Sequence, residues 1–598
     1  MRNKIAVPLI VIGVLLMLVG IGQRTIWAPP TTLTAAAPSQ DREAPLTVIG
    51  SDVLTEHSGG VDLTVAGDGT FLMAVGRADD VDAWVGDASA LRIGADGDSL
   101  TSEIADGTAT VPNPAGSDLW VSEQDIDGET TFTWEAPAEG DWQILLATDG
   151  TGAAPADVSV TYANDASTPF AIPLIVAGAL VAVLGLALAF TSGRGSNGRP
   201  SGGNGPANAG PETRTPAGAA HPATGTTTSH PAADKPATDK AGAGKHAGNS
   251  GSVSSFAVLP ALRRRGTAFS AVLVASLSLG AVPAVAALPL TASPTAEANS
   301  EATPPVVLDS QLERILTEVA GAVNEADAAK DAKLLATRAG GAAATLREAN
   351  YATAAKVPEN AAPEPVVADP LKTDLIMGGT EFPRSIVAVT QGTDNEVPQA
   401  LLMVQESARE NYKLVSAIKM LPGTTFPARP AANTGVSPAP AESSDGLAAA
   451  PKTAVDCLAD ALTNPEGSNK DTFSANTFTE AVTKFQADVL ASPDNKFAKI
   501  AFKHTANPSD TRALRTPDGG AIVFGYMDST YTSIPREAGD SINLEGTIYE
   551  KLTGKANTEA GIDVKYGEGV MLYVPPAGST DQAQVIGAVQ ELLSANLK

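Results

Sequence analysis

Three long apolar runs without a single charge constrain this chain more than any other feature. They are Ile5 to Ile21 (IAVPLIVIGVLLMLVGI), Phe170 to Phe190 (FAIPLIVAGALVAVLGLALAF) and Thr267 to Leu290 (TAFSAVLVASLSLGAVPAVAALPL). A helix of about 20 apolar residues matches the hydrocarbon core of a bilayer, whereas a soluble core helix of that length keeps a polar face. The chain therefore reads as a multi-domain membrane protein. The third run has two readings. Arg263, Arg264 and Arg265 precede it, and Ala284, Val285 and Ala286 close it in the A-x-A form that signal peptidases cut. It is either an uncleaved third span or an internal signal-like segment cut after Ala286.

Basic residues orient the runs. Arg2 and Lys4 precede the first, Arg194 and Arg199 follow the second, and the three arginines precede the third. By the positive-inside rule all three signals agree. The expected order is a cytoplasmic end and transmembrane helix 1 (residues 1–27, span 5–21), an extracytoplasmic β-domain (28–168), transmembrane helix 2 (169–190), a cytoplasmic linker (191–266) and the third run (267–290). An extracytoplasmic α+β region completes it, as unit 1 (291–425), a Pro/Ala-rich linker (426–451) and unit 2 (452–598). Charge follows the same division. Residues 28–168 hold 25 Asp and Glu against three Arg and no Lys, while residues 191–266 hold nine Lys and Arg against three acids. The formal net charge of −27 excludes a nucleic-acid partner, which needs a basic face to displace counterions.

Residues 47–164 alternate apolar and polar side chains, as in Val61 to Val65 and Thr131 to Trp134, with turns expected at Asp127-Gly128, Glu139-Gly140 and Asp149-Gly150. This is the pattern of an all-β sandwich. Four of the five tryptophans fall here, and Trp134 and Trp142 sit in phase with apolar neighbours as core residues do. The pairs Asp80/Asp82, Asp96/Asp98 and Asp125/Asp127 read as turn chemistry and surface charge rather than as a calcium loop or a nucleotide-sugar metal site. The linker 191–266 is built from Gly, Pro, Ala, Thr and Ser and is expected to be disordered.

The C-terminal region opens with Ser310-x-x-Glu313, a capping-box pattern, and helical spacing at Leu312, Ile315, Leu316, Val319 and Val323. Helical text runs to about Lys356. Strand-like runs follow at Ser385 to Thr390, Ala400 to Val404 and Tyr412 to Ile418. The second half repeats the order, with helices near Ala454 to Leu462 and Thr477 to Leu490. Its strands are expected near Phe497 to Phe502, Ala521 to Tyr526, Ile542 to Tyr549 and Val570 to Val574, with a closing helix over Gln582 to Leu593. Helices followed by an antiparallel meander suit a tandem of NTF2-like or cystatin-like units.

No residue set points to a reaction, a cofactor or a metal. Ser416-x-x-Lys419 with Ser509-Asp510-Thr511 resembles two of three penicillin-binding motifs, but no K-T-G follows and Ser416 lies in a strand-like run. His504 reads as a strand-end surface residue, and the single Cys457 as an inert, partly buried thiol.

The phrases Phe71 to Gly76 (FLMAVG), Val81 to Trp84 (VDAW), Asp118 to Ser122 (DLWVS) and Gly140 to Leu146 (GDWQILL) resemble those of uncharacterised actinobacterial multi-pass membrane proteins, over residues 1–192. The C-terminal half is similar to secreted actinobacterial domains of unknown function. The resemblance implies an extracytoplasmic β-domain between two spans and carries no catalytic residue. The expected function is a cell-envelope membrane protein displaying non-catalytic scaffold or ligand-binding modules to an envelope protein, lipid or glycan. The alternatives are a lipid or small-ligand carrier using the α+β concavities, and an envelope glycan-acting enzyme.

Overall fold

A computed structural model describes residues 3–57, 60–164, 166–191, 262–263, 303–393, 395 and 397–598. The third apolar run, 267–290, lies outside the described residues, as does nearly all of the linker 191–266. The chain divides into two compact units, one holding the two apolar helices and one holding residues 32–163 together with the C-terminal region.

In the first unit the helices Asn3–Arg24 and Ala171–Thr191 pack antiparallel. Both are long and apolar enough to cross a membrane, over Ile5–Arg24 and Ala171–Phe190. Their contact is made by glycine. A methyl group on Gly13 would stand 2.5 Å from the Ala182 nitrogen, and one on Gly178 would stand 2.6 Å from the Gly13 oxygen. Such close backbone approach supplies van der Waals contact, the kind of packing by which apolar helices associate in a bilayer. The larger side chains, among them Val11, Leu15, Leu180 and Leu184, turn outward.

The β-domain is organised by one long antiparallel strand pair, Val61–Arg77 with Ser122–Thr133. The first half of Val61–Arg77 pairs with Asp157–Ala163 and through it with Thr32–Ala36. Its second half pairs with Trp142–Ala147, which leads to Leu46–Ile49, Ala90–Asp96 and Ser99–Ala105. The all-β expectation is thus realised as one continuous eight-stranded sheet rather than two separate sheets. A shared core of Ile49, Leu63, Phe71, Ile93, Ile144 and Val160 lies on one face. Leu46–Ile49 is buried on both faces. Leu46 and Val48 face a second core under the short helix Ala78–Val85, with Trp84 and Trp120. Asp127-Gly128, expected as a turn, lies inside Ser122–Thr133, where the register of the antiparallel pair slips opposite residues 67–69.

The C-terminal region has four layers. Leu371–Ile376, Arg384–Thr390, Gln399–Gln405 and Lys413–Lys419 form one antiparallel sheet in chain order, and Ala498–Arg515, Ala521–Pro535, Ile562–Val574 and Gln584–Leu597 form another. The sheets face each other across Leu375, Val387, Leu402, Ile522, Phe524 and Met571. Alternate residues face helices instead. Ile386, Leu401 and Met403 meet Leu312, Ile315 and Val319 of Asp309–Ala329, and Val523, Val570 and Leu572 meet Val455 and Leu458 of Pro451–Thr463 and Val482 of Thr477–Ala491. Two-sided burial explains why these strands read as apolar runs. The concave faces expected of cone-shaped units are covered by helices on one side and by the other sheet on the other.

Four local expectations are corrected. The closing helix is the strand Gln584–Leu597, whose register slips twice against Ile562–Val574. Each slip inserts a residue, so Val585, Val589 and Leu592 acquire helix-like spacing while Val585 and Val589 join different cores. Ile542 to Tyr549 is a three-residue strand, Ser541–Asn543, followed by the helix Ile548–Thr553, which Thr547 caps. The capping residue of Asp309–Ala329 is not Ser310; Gln311 Oε1 accepts from the Leu308 N–H at 2.9 Å. The Pro/Ala-rich linker 426–451 is a structural element. The Val436 N–H donates to the Ile376 carbonyl at 2.8 Å, and the Ala439 N–H to that of Ala513 at 2.9 Å, so one segment closes an edge of each sheet.

Gly435 is the tightest point of this segment, because a Cβ there would stand 2.5 Å from Gly378 Cα. Gly435→Val should destabilise the C-terminal region by about 1–3 kcal/mol, read by urea unfolding. The same change at exposed Ala432 should cost less than about 0.5 kcal/mol.

Candidate functional site: an arginine-clamped interface

Ionic chemistry concentrates where the β-domain meets the C-terminal region. Asp118 sits in the irregular stretch between Ser99–Ala105 and Ser122–Thr133, and its side chain is completely buried. Arg338, closing the helix Ala332–Arg338, donates from Nη1 to Asp118 Oδ2 at 2.6 Å and from Nη2 to Oδ1 at 3.3 Å. The Tyr412 N–H donates to the same Oδ2 at 2.7 Å. Arg338 also bonds Glu318 within its own domain. A fork of this kind is the strongest side-chain geometry for a carboxylate.

A second buried pair lies nearby. Asp80, in the first turn of Ala78–Val85, stands 2.6 Å from Arg384 Nη1, with both side chains almost fully buried. The Arg384 guanidinium lies 4.2 Å from the centre of the Phe382 ring and donates to the Thr380 carbonyl at 3.2 Å. Burial pushes the Asp80 carboxyl above its ordinary range, and Arg384 and Arg77 pull it back down.

The remaining contacts satisfy backbone. Arg409 donates to the Trp84 and Val85 carbonyls at 2.8 and 2.7 Å, so a cation closes the C-terminal end of a helix whose last carbonyls have no partner within it. Gln311 Nε2 donates to the Leu119 carbonyl at 3.1 Å and Arg314 Nη2 to that of Trp120 at 2.6 Å. Asn411 accepts from the Asp118 N–H at 2.9 Å and donates to the Gly116 carbonyl at 2.9 Å. The irregular loop carrying Asp118 thus obtains from the other domain the partners that a strand would find in a sheet.

Asp80 and Asp118 were hidden among many acids. Asp80 was expected at the surface as turn chemistry, yet it is buried and paired. Asp96 and Asp98 do flank a turn, and Asp125 and Asp127 lie on an exposed strand. Trp84, Trp120 and Trp142 are buried, as core residues. The only advance signal for the clamp was the charge of residues 28–168, whose acids have too few cations of their own.

The other candidate residues do not assemble. Ser416 is buried on the first sheet, Lys419 pairs with Glu364 at 2.6 Å, and Ser509 lies on the second sheet bonded to Asn507. Cys457 is half-buried and its thiol is pushed up by burial, with Asp456 and Asp460 adding to the shift. His504 is not at the surface. It is buried mid-strand, with Nδ1 2.9 Å from Glu568 Oε2 and Nε2 3.1 Å from Gln486 Nε2. Glu568 also accepts from Gln590 at 2.8 Å, and Gln486 donates to the Leu462 carbonyl at 3.0 Å. This is a closed core network. Among the described residues no three or more His, Cys, Asp or Glu side chains are grouped to hold a metal ion.

Residues 303–596 match a domain of unknown function, DUF8094. No curated protein and no solved structure matches the chain.

Arg338→Ala should lower stability by about 3–5 kcal/mol, because it strands a fully buried carboxylate. Arg409→Ala, which loses carbonyl contacts at a partly exposed site, should cost about 1–2 kcal/mol; thermal unfolding of the full chain in detergent ranks the two. Away from the interface, Glu591 lies half-buried opposite Gly567, and burial lifts its carboxyl to about 7 against the opposing hydrogen bond from Asn350. A raised folded pKa means the protonated form is favoured in the fold. Its contribution is complete below the ordinary carboxylate range and is lost as pH rises through about 7. Glu591→Gln should therefore stabilise the protein at alkaline pH by about 1–3 kcal/mol and converge with the parent at acid pH, measured as melting temperature against pH.

Proposed function

We infer that this chain is a multi-pass cell-envelope membrane protein whose β-domain and C-terminal domain form one joined, non-catalytic extracytoplasmic scaffold. The observation that carries this reading is the clamp itself. Two domains sharing buried ion pairs must lie on one side of a bilayer. If the helices flanking the β-domain both span, the chain leaves that side after residue 170, and it has to return before residue 303. The apolar run 267–290, with its arginines before it, supplies the return. Trp27 after the first span and Phe170 before the second are exposed aromatics of the type that anchor a span at the interface.

The non-catalytic part of the reading draws on the side chains that could do chemistry. Asp80 and Asp118 are buried and bonded to arginine or backbone, and His504 and Glu568 are buried and bonded to each other and to amide side chains, as structural groups are. Among the described residues of the larger unit, the exposed large apolar side chains are single ones, Leu334 and Leu490, so a polar partner surface fits better than an apolar one.

Single cysteines in a Cys457→Ala background test the topology. With a membrane-impermeant maleimide on intact cells, Asp68→Cys and Ser468→Cys should label, and Ser201→Cys should label only after permeabilisation. Labelling of Ser201→Cys in intact cells, or protection of Ser468→Cys, overturns the arrangement.

A further inference from the structure

We propose that the β-domain is a docking receptor that retains the C-terminal domain at the membrane without any covalent link between them. The proposal rests on the reading that both domains share one side of the bilayer, and it goes beyond it. Along the chain, residues 164–302 separate the two domains, and the effective concentration that such a connection supplies falls roughly as the −3/2 power of its length. Once the chain is cut, the contacts have to hold the domains together by themselves.

Their chemistry suits that task. The C-terminal domain presents Arg338 and Arg384 to the buried carboxylates of Asp118 and Asp80, Arg409 to the carbonyls of Trp84 and Val85, Arg314 to that of Trp120, and the amides of Gln311 and Asn411 to those of Leu119 and Gly116. Apolar contact supports the polar set, because Ala408 is buried in the core around Trp84 and Trp120. Asp118 and Asp80 are shielded from solvent ions, so the association should resist salt, unlike a contact between surface charges. The A-x-A sequence ending at Ala286 gives the property a use. Cutting there would leave the C-terminal domain without its third anchor, and docking would keep it in place.

The test uses the full chain with a site-specific protease site inserted between residues 291 and 302, in right-side-out membrane vesicles. After cutting and a wash in about 0.5 M salt, the C-terminal fragment should sediment with the membrane. Arg314→Ala with Arg409→Ala should release it at least about tenfold faster. Asn411→Ala, which removes two contacts and no charge, should accelerate release in the same direction and guards against misfolding of the arginine variant. Prompt release of the parent fragment overturns the docking proposal alone. Retention unchanged in both variants overturns its assignment to this interface. Cutting only after the vesicles are opened overturns the shared-side reading, and the proposal with it.

Discussion

The architecture depends on a carboxylate that its own domain cannot neutralise. Asp118 is fully buried, and an ionised carboxylate in that position is tolerable only with a counter-ion and donors for its remaining lone pairs. Arg338 and the Tyr412 N–H meet both requirements from across the interface. The β-domain alone would leave Asp118 with neither, and would leave the carbonyls of Trp84, Val85 and Trp120 without the arginines that bond them. The interface of the β-domain is therefore completed by the C-terminal domain, which supplies the partners that Asp118 and these carbonyls have in the joined state.

Secondary structure was legible where burial follows a simple period. The two described apolar runs, the alternating stretch from Val61 to Val65 and the helix from Asp309 onward all state their environment locally. Reading failed where geometry breaks the period. Two register slips gave the strand Gln584–Leu597 the spacing of a helix. The Pro/Ala-rich segment near Val436 looked like a spacer because its stabilising partners, Ile376 and Ala513, are distant in sequence. The same reason hid the site. Nothing adjacent to Asp80 or Asp118 distinguishes them from exposed acids such as Asp125, and the arginines that pair with them, Arg384 and Arg338, lie hundreds of residues away. Composition carried the only trace, as an excess of acid in one segment.

The layered C-terminal region explains how the arginines are held in place. Arg384 opens the second strand of the first sheet, Arg338 closes a helix packed on that sheet, Arg314 lies in the first turns of Asp309–Ala329, and Arg409 lies between the third and fourth strands. Elements that share one core fix the spacing of their side chains far better than a surface loop could. Gln311 shows the coupling within one residue, because its oxygen accepts from Leu308 at the start of the helix while its nitrogen reaches the Leu119 carbonyl. Helix capping and domain docking are therefore linked energetically.

Charge alone would make such an interface weak in salt and tolerant of error. The clamp is neither, because most of its donors point at carbonyl oxygens whose positions are set by the backbone of Ala78–Val85 and of the loop that carries Asp118. A competing acidic surface could offer charge, but it could not present the carbonyls of a helix end and of the Asp118 loop in the same arrangement. Specificity thus comes from matching donors to carbonyls of fixed position, and loss of one partner of either buried ion pair would leave a charge uncompensated.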